Sequence, residues 1–141
     1  MILLDSDHLT ILQVPSSARR QRLVARMALA VGETIGTSIV AVEEQMRGWL
    51  ASIAKERQVP RQPRAYRELQ RLFAFFAAFT IVEFDDPAAA KFEEFRRAKV
   101  RIGTPDLKIA SVAIVNGARL LTANRRDFEQ VPGLRFENWL D

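Results

Sequence analysis

Short apolar runs alternate with helix-length segments along the whole chain, and this alternation constrains its fold more than any other feature. Ile2-Leu3-Leu4, Thr34 to Ser38, Thr80 to Phe84, Arg119 to Thr122 and Leu134 to Phe136 are too short for helices and too apolar for loops, so they read as strands. Between them lie segments that predict helices over Asp7 to Leu12, Ala18 to Val31, Val40 to Glu56, Arg64 to Ala78, Pro87 to Lys99, and from Thr104 to Asn116. Pro63, Pro87 and Pro105 fall at first-turn positions, and Gly32 and Gly117 follow helix ends. Asn124 to Gln130 reads as a loop or a short helical turn. Strands joined through helices pair in parallel and need cover on both faces. The expectation is a single α/β domain over residues 1-141, with a central, mainly parallel β-sheet flanked by α-helices.

At 141 residues and 48% hydrophobic, the chain can bury a core, and no segment is long and apolar enough to span a bilayer. The first residues run straight into a strand, without a basic region or an extended apolar stretch, so a cytoplasmic location is expected. Cysteine is absent, which removes disulfide scaffolds and thiol catalysis and leaves oxygen as the donor for any metal. The balance of 21 basic to 17 acidic residues, net +4, fits a polyanionic partner.

Acidic and amide side chains stand at the ends of the strand-like runs: Asp5, the Glu43/Glu44 pair, Asp106, and Asn124 with Asp127. In an open α/β sheet such positions converge at one edge. Clustered carboxylates repel each other, and a hard cation such as magnesium or manganese resolves that conflict. Each position also has a purely structural reading. Asp106 follows Pro105 in a first helical turn, where it meets the helix dipole; Glu43 can pair with Arg47 at i, i+4; Asp85-Asp86 before Pro87 is ordinary capping chemistry. Asp7 or Ser6 can cap the first helix. His8, the only histidine, has no serine or second histidine to frame it and reads as structural or surface.

Arg19, Arg22 and Arg26 recur at i, i+3 and i+7 as one basic stripe; Arg64, Arg67 and Arg71 form another. Opposite the second stripe, Leu69, Leu72, Phe73, Phe75, Phe76 and Phe79 cover a wide arc. That arc suits core packing, or a core contact that continues into a partner surface.

Asp5-Ser6-Asp7 resembles the opening of haloacid dehalogenase phosphatases, but Leu9 stands where that motif has threonine or valine. A fuller resemblance covers nearly the whole chain. Met1 to Asp7, Ser38 to Gly48, Ile102 to Ala110, and Leu120 to Phe128 leading into Val131-Pro132-Gly133-Leu134 and Glu137-Asn138-Trp139 resemble, in order and spacing, a PIN-domain ribonuclease of the VapC toxin type. The resemblance implies Asp5 and Asp106 as metal ligands. It selects Glu44 over Glu43, because the family's glutamate stands four residues before the glycine, here Gly48. Glu44 then binds directly or through water. Where some PIN domains carry a fourth aspartate this chain has Asn124, with Asp127 three residues on, and either can complete the site.

The resemblance therefore implies a Mg2+- or Mn2+-dependent endoribonuclease, the toxin of a type II toxin-antitoxin pair, hydrolysing RNA with a metal-activated water. Its expected partners are an RNA substrate, a cognate VapB-type antitoxin and a second copy in a homodimer. Arg125 and Arg126, or the helical arginine stripes, are candidates to grip RNA phosphates. The competing reading is a catalytically silent PIN-like module that binds RNA or protein, favoured by the amide at position 124.

Overall fold

The computed structural model describes residues 1–141. Five strands, β1 (Ile2–Leu4), β2 (Ile35–Ser38), β3 (Thr80–Val82), β4 (Arg119–Leu121) and β5 (Phe136–Glu137), form one sheet in the order β3-β2-β1-β4-β5. Every pairing is parallel, so the mainly parallel sheet expected from the alternation is wholly parallel. The helices are α1 (Ser6–Gln13), α2 (Ala18–Leu29), α3 (Ile39–Lys55), α4 (Pro63–Phe76), α5 (Asp86–Arg97), α6 (Thr104–Val115) and the short α7 (Arg125–Phe128), with a 3-10 turn at Val59–Arg61.

Successive residues of a strand face opposite sides of the sheet, and Ile2, Leu3 and Leu4 are all buried to within 1% of complete. Both faces of β1 are therefore covered. The core extends from β1 through Leu120 and Leu121 of β4 to Ile109, Ala110, Val112 and Ala113 of α6. Burying each large aliphatic side chain contributes roughly 1.5–3 kcal/mol.

Strand order decides where a site can form. The chain moves outward from β1 to β2 and β3, then crosses back to place β4 and β5 on the other side of β1. This reversal opens a crevice beyond the carboxyl ends of β1 and β4. Asp5 directly follows β1 and Thr122 directly follows β4, so both lie at its mouth.

Several boundaries differ from the sequence expectation. Asp5 itself caps α1, accepting the Ser6 N–H at 2.7 Å, in place of Ser6 or Asp7. The second helix stops at Leu29, before Gly32 takes a left-handed φ of 84°, and the phenylalanine-rich helix ends at Phe76. The last strand lies at Phe136–Glu137, further along than Leu134 to Phe136, because its pairing with Leu120 and Leu121 sets its register. Gly36 fills a position only glycine tolerates, since a Cβ there would lie 2.3 Å from the Thr80 carbonyl oxygen on β3.

The stripe of Arg19, Arg22 and Arg26 on α2 is not free for a polyanion. Arg22 Nε donates to the Leu140 carbonyl at 2.9 Å, Arg26 to the Asn138 carbonyl at 3.1 Å, and Arg19 pairs with Asp141 at 3.2 Å. This helix is the clamp for the last residues of the chain. The α4 arginines are exposed, and Arg71 pairs with Glu68 at 2.7 Å.

Candidate metal centre at the sheet edge

Three of the acids meet. Carboxylate oxygens of Asp5, Glu44 and Asp106 all lie within 4.8 Å of one another. Asp5 arrives from the end of β1, Glu44 from the second turn of α3, and Asp106 from the first turn of α6. Ser38 fixes the start of α3 by accepting the Ala41 N–H at 3.1 Å, and Pro105 pre-sets the first turn of α6. Glu43, one residue earlier, points about 100° away around the helix and pairs with Arg47 in solvent.

Polar neighbours hold the trio. The Thr122 hydroxyl donates to Asp5 Oδ2 at 2.8 Å and accepts the Asn124 N–H at 3.1 Å; the Ser6 hydroxyl donates to Glu44 at 3.3 Å. The Asn124 amide donates to Asp127 at 3.0 Å and to Asp106 at 3.4 Å, while its oxygen accepts the Asp127 N–H as the cap of α7. Asn124 thus presents its amino group to the acids, and Asp127 stands behind it, outside the trio. Arg125 and Arg126 lie exposed on α7, and Arg125 reaches Glu129 at 3.5 Å. Arg125 also lines a cavity of about 430 Å3 with Thr122, Ala123, Phe136, Glu137 and Asn138.

Electrostatics set this cluster apart from an ordinary acidic surface. Burial first, and then the charge of Asp7, push the Asp5 carboxyl up to about 7 from 3.8, against the opposing hydrogen bonds from Ser6 and Thr122. Burial and Asp106 raise Glu44; burial, Asp127 and Asp7 raise Asp106. Asp7 moves the other way. Burial pushes it upward, but the hydrogen bonds from His8 and the Ala123 N–H outweigh that and hold it below the usual aspartate range. A fixed anion therefore sits behind three carboxyls that resist ionising together.

The donor set fits a hard divalent cation. All three ligand groups are carboxylates, and no lysine or arginine hydrogen-bonds to any of them. Ligand oxygens within 4.8 Å of one another are close enough for one such ion to be held by all three, directly or through water.

Reasoning from the sequence did not single out Thr122 and Ser6, although both hold the trio. Thr122 carried one signal: a hydroxyl residue continuing the buried run Leu120-Leu121 at a strand end. His8 is structural and fully buried, which settles its two readings against the surface.

The PIN domain family model matches residues 3–134. Ribonuclease VapC2 of Rickettsia felis is 30% identical over 115 residues, covering 79% of this chain and 78% of that protein. The tRNA(fMet)-specific endonuclease VapC of Shigella flexneri is 30% identical over 134 residues, covering 92% and 89%. Its Salmonella typhimurium namesake is 34% identical over 77 residues, a match spanning only 58% of that protein. Among solved structures, VapBC2 from Rickettsia felis bound to a promoter DNA fragment superposes with a TM-score of 0.74 at 25% identity, over 99% of each chain. VapBC-1 from nontypeable Haemophilus influenzae has a TM-score of 0.81 at 16% identity over the full length of both, a likeness of fold alone.

Proposed function

The chain belongs to the PIN-domain family, among the VapC ribonucleases, and from that premise we propose that it is an endoribonuclease, the toxin of a toxin-antitoxin pair, hydrolysing RNA at a Mg2+ or Mn2+ ion held by Asp5, Glu44 and Asp106. The observation that carries this reading is the convergence of three carboxylates at the sheet's switch point, none of them in a salt bridge with a lysine or arginine. A divalent ion there supplies an acidified water as nucleophile and positive charge for the transition state. The chain's own residues orient that chemistry. Thr122 and Ser6 fix the carboxylates of Asp5 and Glu44, and Asn124 fixes Asp106, each by hydrogen bonds that also oppose protonation. Arg125 and Arg126, exposed on α7 directly after Asn124, are the residues assigned to grip phosphates flanking the scissile bond without reading sequence.

Magnesium and manganese suit an all-oxygen site that leaves several positions to water and substrate. The alternative of a catalytically silent module gains nothing from Asn124, since the trio assembles without a fourth aspartate. Purified protein incubated with single-stranded and structured RNAs should cleave with Mn2+ or Mg2+ and stop in EDTA. Cleavage that persists in EDTA, or in Asp5→Asn, contradicts the metal site.

The antitoxin is assigned to the apolar groove between α3 and α4, a cavity of about 320 Å3 lined by Val42, Met46, Leu72, Phe73, Phe76 and Ile81. Phe73 is 64% exposed there, more than core packing explains, which supports the reading of α4 as both core and partner surface. Exposed Val24 and Leu29 on α2 mark a second apolar edge, assigned to the homodimer. Phe73→Glu should weaken co-purification with a co-expressed VapB-type antitoxin while leaving the melting temperature unchanged; undiminished binding would remove the groove from the proposal.

A further inference from the structure

His8 makes two hydrogen bonds from a fully buried ring. Nδ1 lies 2.6 Å from Asp7 Oδ1, and Nε2 lies 3.2 Å from the backbone nitrogen of Trp139. The amide can only donate, so Nε2 must accept. That fixes the neutral tautomer with its hydrogen on Nδ1, aimed at Asp7. The other oxygen of Asp7 accepts the Ala123 N–H at 2.8 Å and lies 3.3 Å from the Thr122 hydroxyl, which donates to Asp5 at 2.8 Å. The single Thr122 hydrogen goes to Asp5, so Asp7 holds this strand end through the Ala123 N–H; the tie from the C-terminal segment thus runs through His8, Asp7 and the Thr122–Ala123 backbone to the Asp5 carboxylate.

Trp139 is itself anchored. Its indole donates to Glu137 at 2.7 Å, and the carbonyls on either side of it, those of Asn138 and Leu140, accept from Arg26 and Arg22 of α2. The amide that sets the tautomer is therefore held at a fixed place by α2, remote in sequence, and by the adjoining Glu137.

We propose that His8 is a positioning residue for the metal centre: its Nδ1–H holds Asp7 in the orientation that places Thr122 on Asp5, and the Trp139 amide selects the tautomer that does so. Thr122 is the partner that bonds a ligand directly, and removing such a partner typically changes metal affinity by about 10–100-fold; His8 acts through it, so the effect lies toward the lower end of that range. The inference rests on the metal reading above, and its test separates the two.

His8→Leu and His8→Asn both lose the acceptor for the Trp139 amide, but asparagine keeps an N–H donor at the position of Nδ1. Mn2+ affinity, read from the electron paramagnetic resonance signal of free Mn2+, should fall about tenfold or more in His8→Leu and stay within about threefold of the unsubstituted chain in His8→Asn. Thermal melts of both variants establish that they are folded. Equal loss in the two variants, tracking their melting temperatures, or no loss in His8→Leu, overturns the inference and leaves the metal site standing. Absence of Mn2+ binding by the unsubstituted chain overturns the metal reading and the inference with it.

A second measurement needs no variant. His8 is the only histidine, so the imidazole 15N signals need no assignment. They should show a neutral ring protonated at Nδ1, and the Nε2–H tautomer would overturn the proposal even if His8→Leu fails to fold.

Discussion

Charge is handled in opposite ways at two places in this molecule. Along the seam between α2 and the C-terminal residues, each arginine has found a partner: Arg22 and Arg26 bond backbone carbonyls and Arg19 an aspartate. At the sheet edge, Asp5, Glu44 and Asp106 face one another with Asp7 and Asp127 close behind, and hydroxyl and amide donors only partly compensate. The seam lowers the energy of the folded chain by itself. The edge raises it, a cost that the proposed cation would offset. A satisfied charge thus marks a structural tie, and a crowded one is where the proposed ion would act.

The largest expected effect tests the crowded side. Asp5→Asn or Asp106→Asn should lower RNA cleavage by at least about a thousandfold, since a bound ion supplies several kcal/mol to the transition state. Glu44→Gln should follow them, whereas Glu43→Gln, which loses only an exposed pair with Arg47, should leave cleavage within about twofold. Initial rates on one RNA would rank all four. Equal losses at Glu43 and Glu44 would dissolve the distinction between crowded and satisfied acids.

Next in size is a pH effect without metal. The folded chain raises the Asp5 carboxyl from 3.8 to about 7, so between those values it binds a proton that the unfolded chain has released. Its contribution to stability is fully present below about pH 4 and is lost as pH rises through about 7, a swing on the order of 3–4 kcal/mol. Glu44 and Asp106, also raised, act in the same direction, and Asp7, which is lowered, acts against them. Denaturant unfolding in EDTA from pH 4 to pH 8 should show the decline, Asp5→Asn should flatten it, and Mn2+ at pH 8 should reverse it by mass action. Stability that rises with pH over that range would place the balance elsewhere.

The satisfied side gives smaller numbers of opposite sign. Arg22→Ala removes the donor to Leu140 and should cost about 1 kcal/mol, read as a lower denaturation midpoint. Smallest of all, Arg71→Ala loses an exposed pair with Glu68 and should shift stability by no more than about 0.5 kcal/mol. A larger effect at Arg71 than at Arg22 would invert the contrast between the two arginine stripes.

Those stripes also show what a sequence can and cannot disclose. Both have the same i, i+3 spacing, and nothing local separates them. The partners of Arg22 and Arg26 lie 118 and 112 residues away, so only the folded chain distinguishes a clamp from a solvated face. Helix starts were readable because proline and the capping residues act within one turn. Helix ends and the last strand shifted because packing and register decide them. At the site, Asp5 was legible from its place after a buried run. Glu44 was separated from Glu43 only by the family resemblance, through its spacing to Gly48; the physical reason is the phase of α3, which half-buries Glu44 and leaves Glu43 exposed. That phase is present in the sequence, but its direction relative to the sheet is not. Thr122 had no signature beyond a polar residue at a strand end, and the tie from His8 to Trp139 joins positions 131 residues apart.

The middle strand of the sheet is the first to be synthesised. β1 lies between β2 and β4, and the Asp5 N–H bonds the Leu121 carbonyl across the second of those pairings. Asp5 therefore meets its sheet neighbour and the Thr122 hydroxyl, 117 residues away, only when the two ends of the domain close on each other. Site and sheet thus share one long loop closure, and whatever loosens the pairing of β1 with β4 loosens the support of the first carboxylate with it.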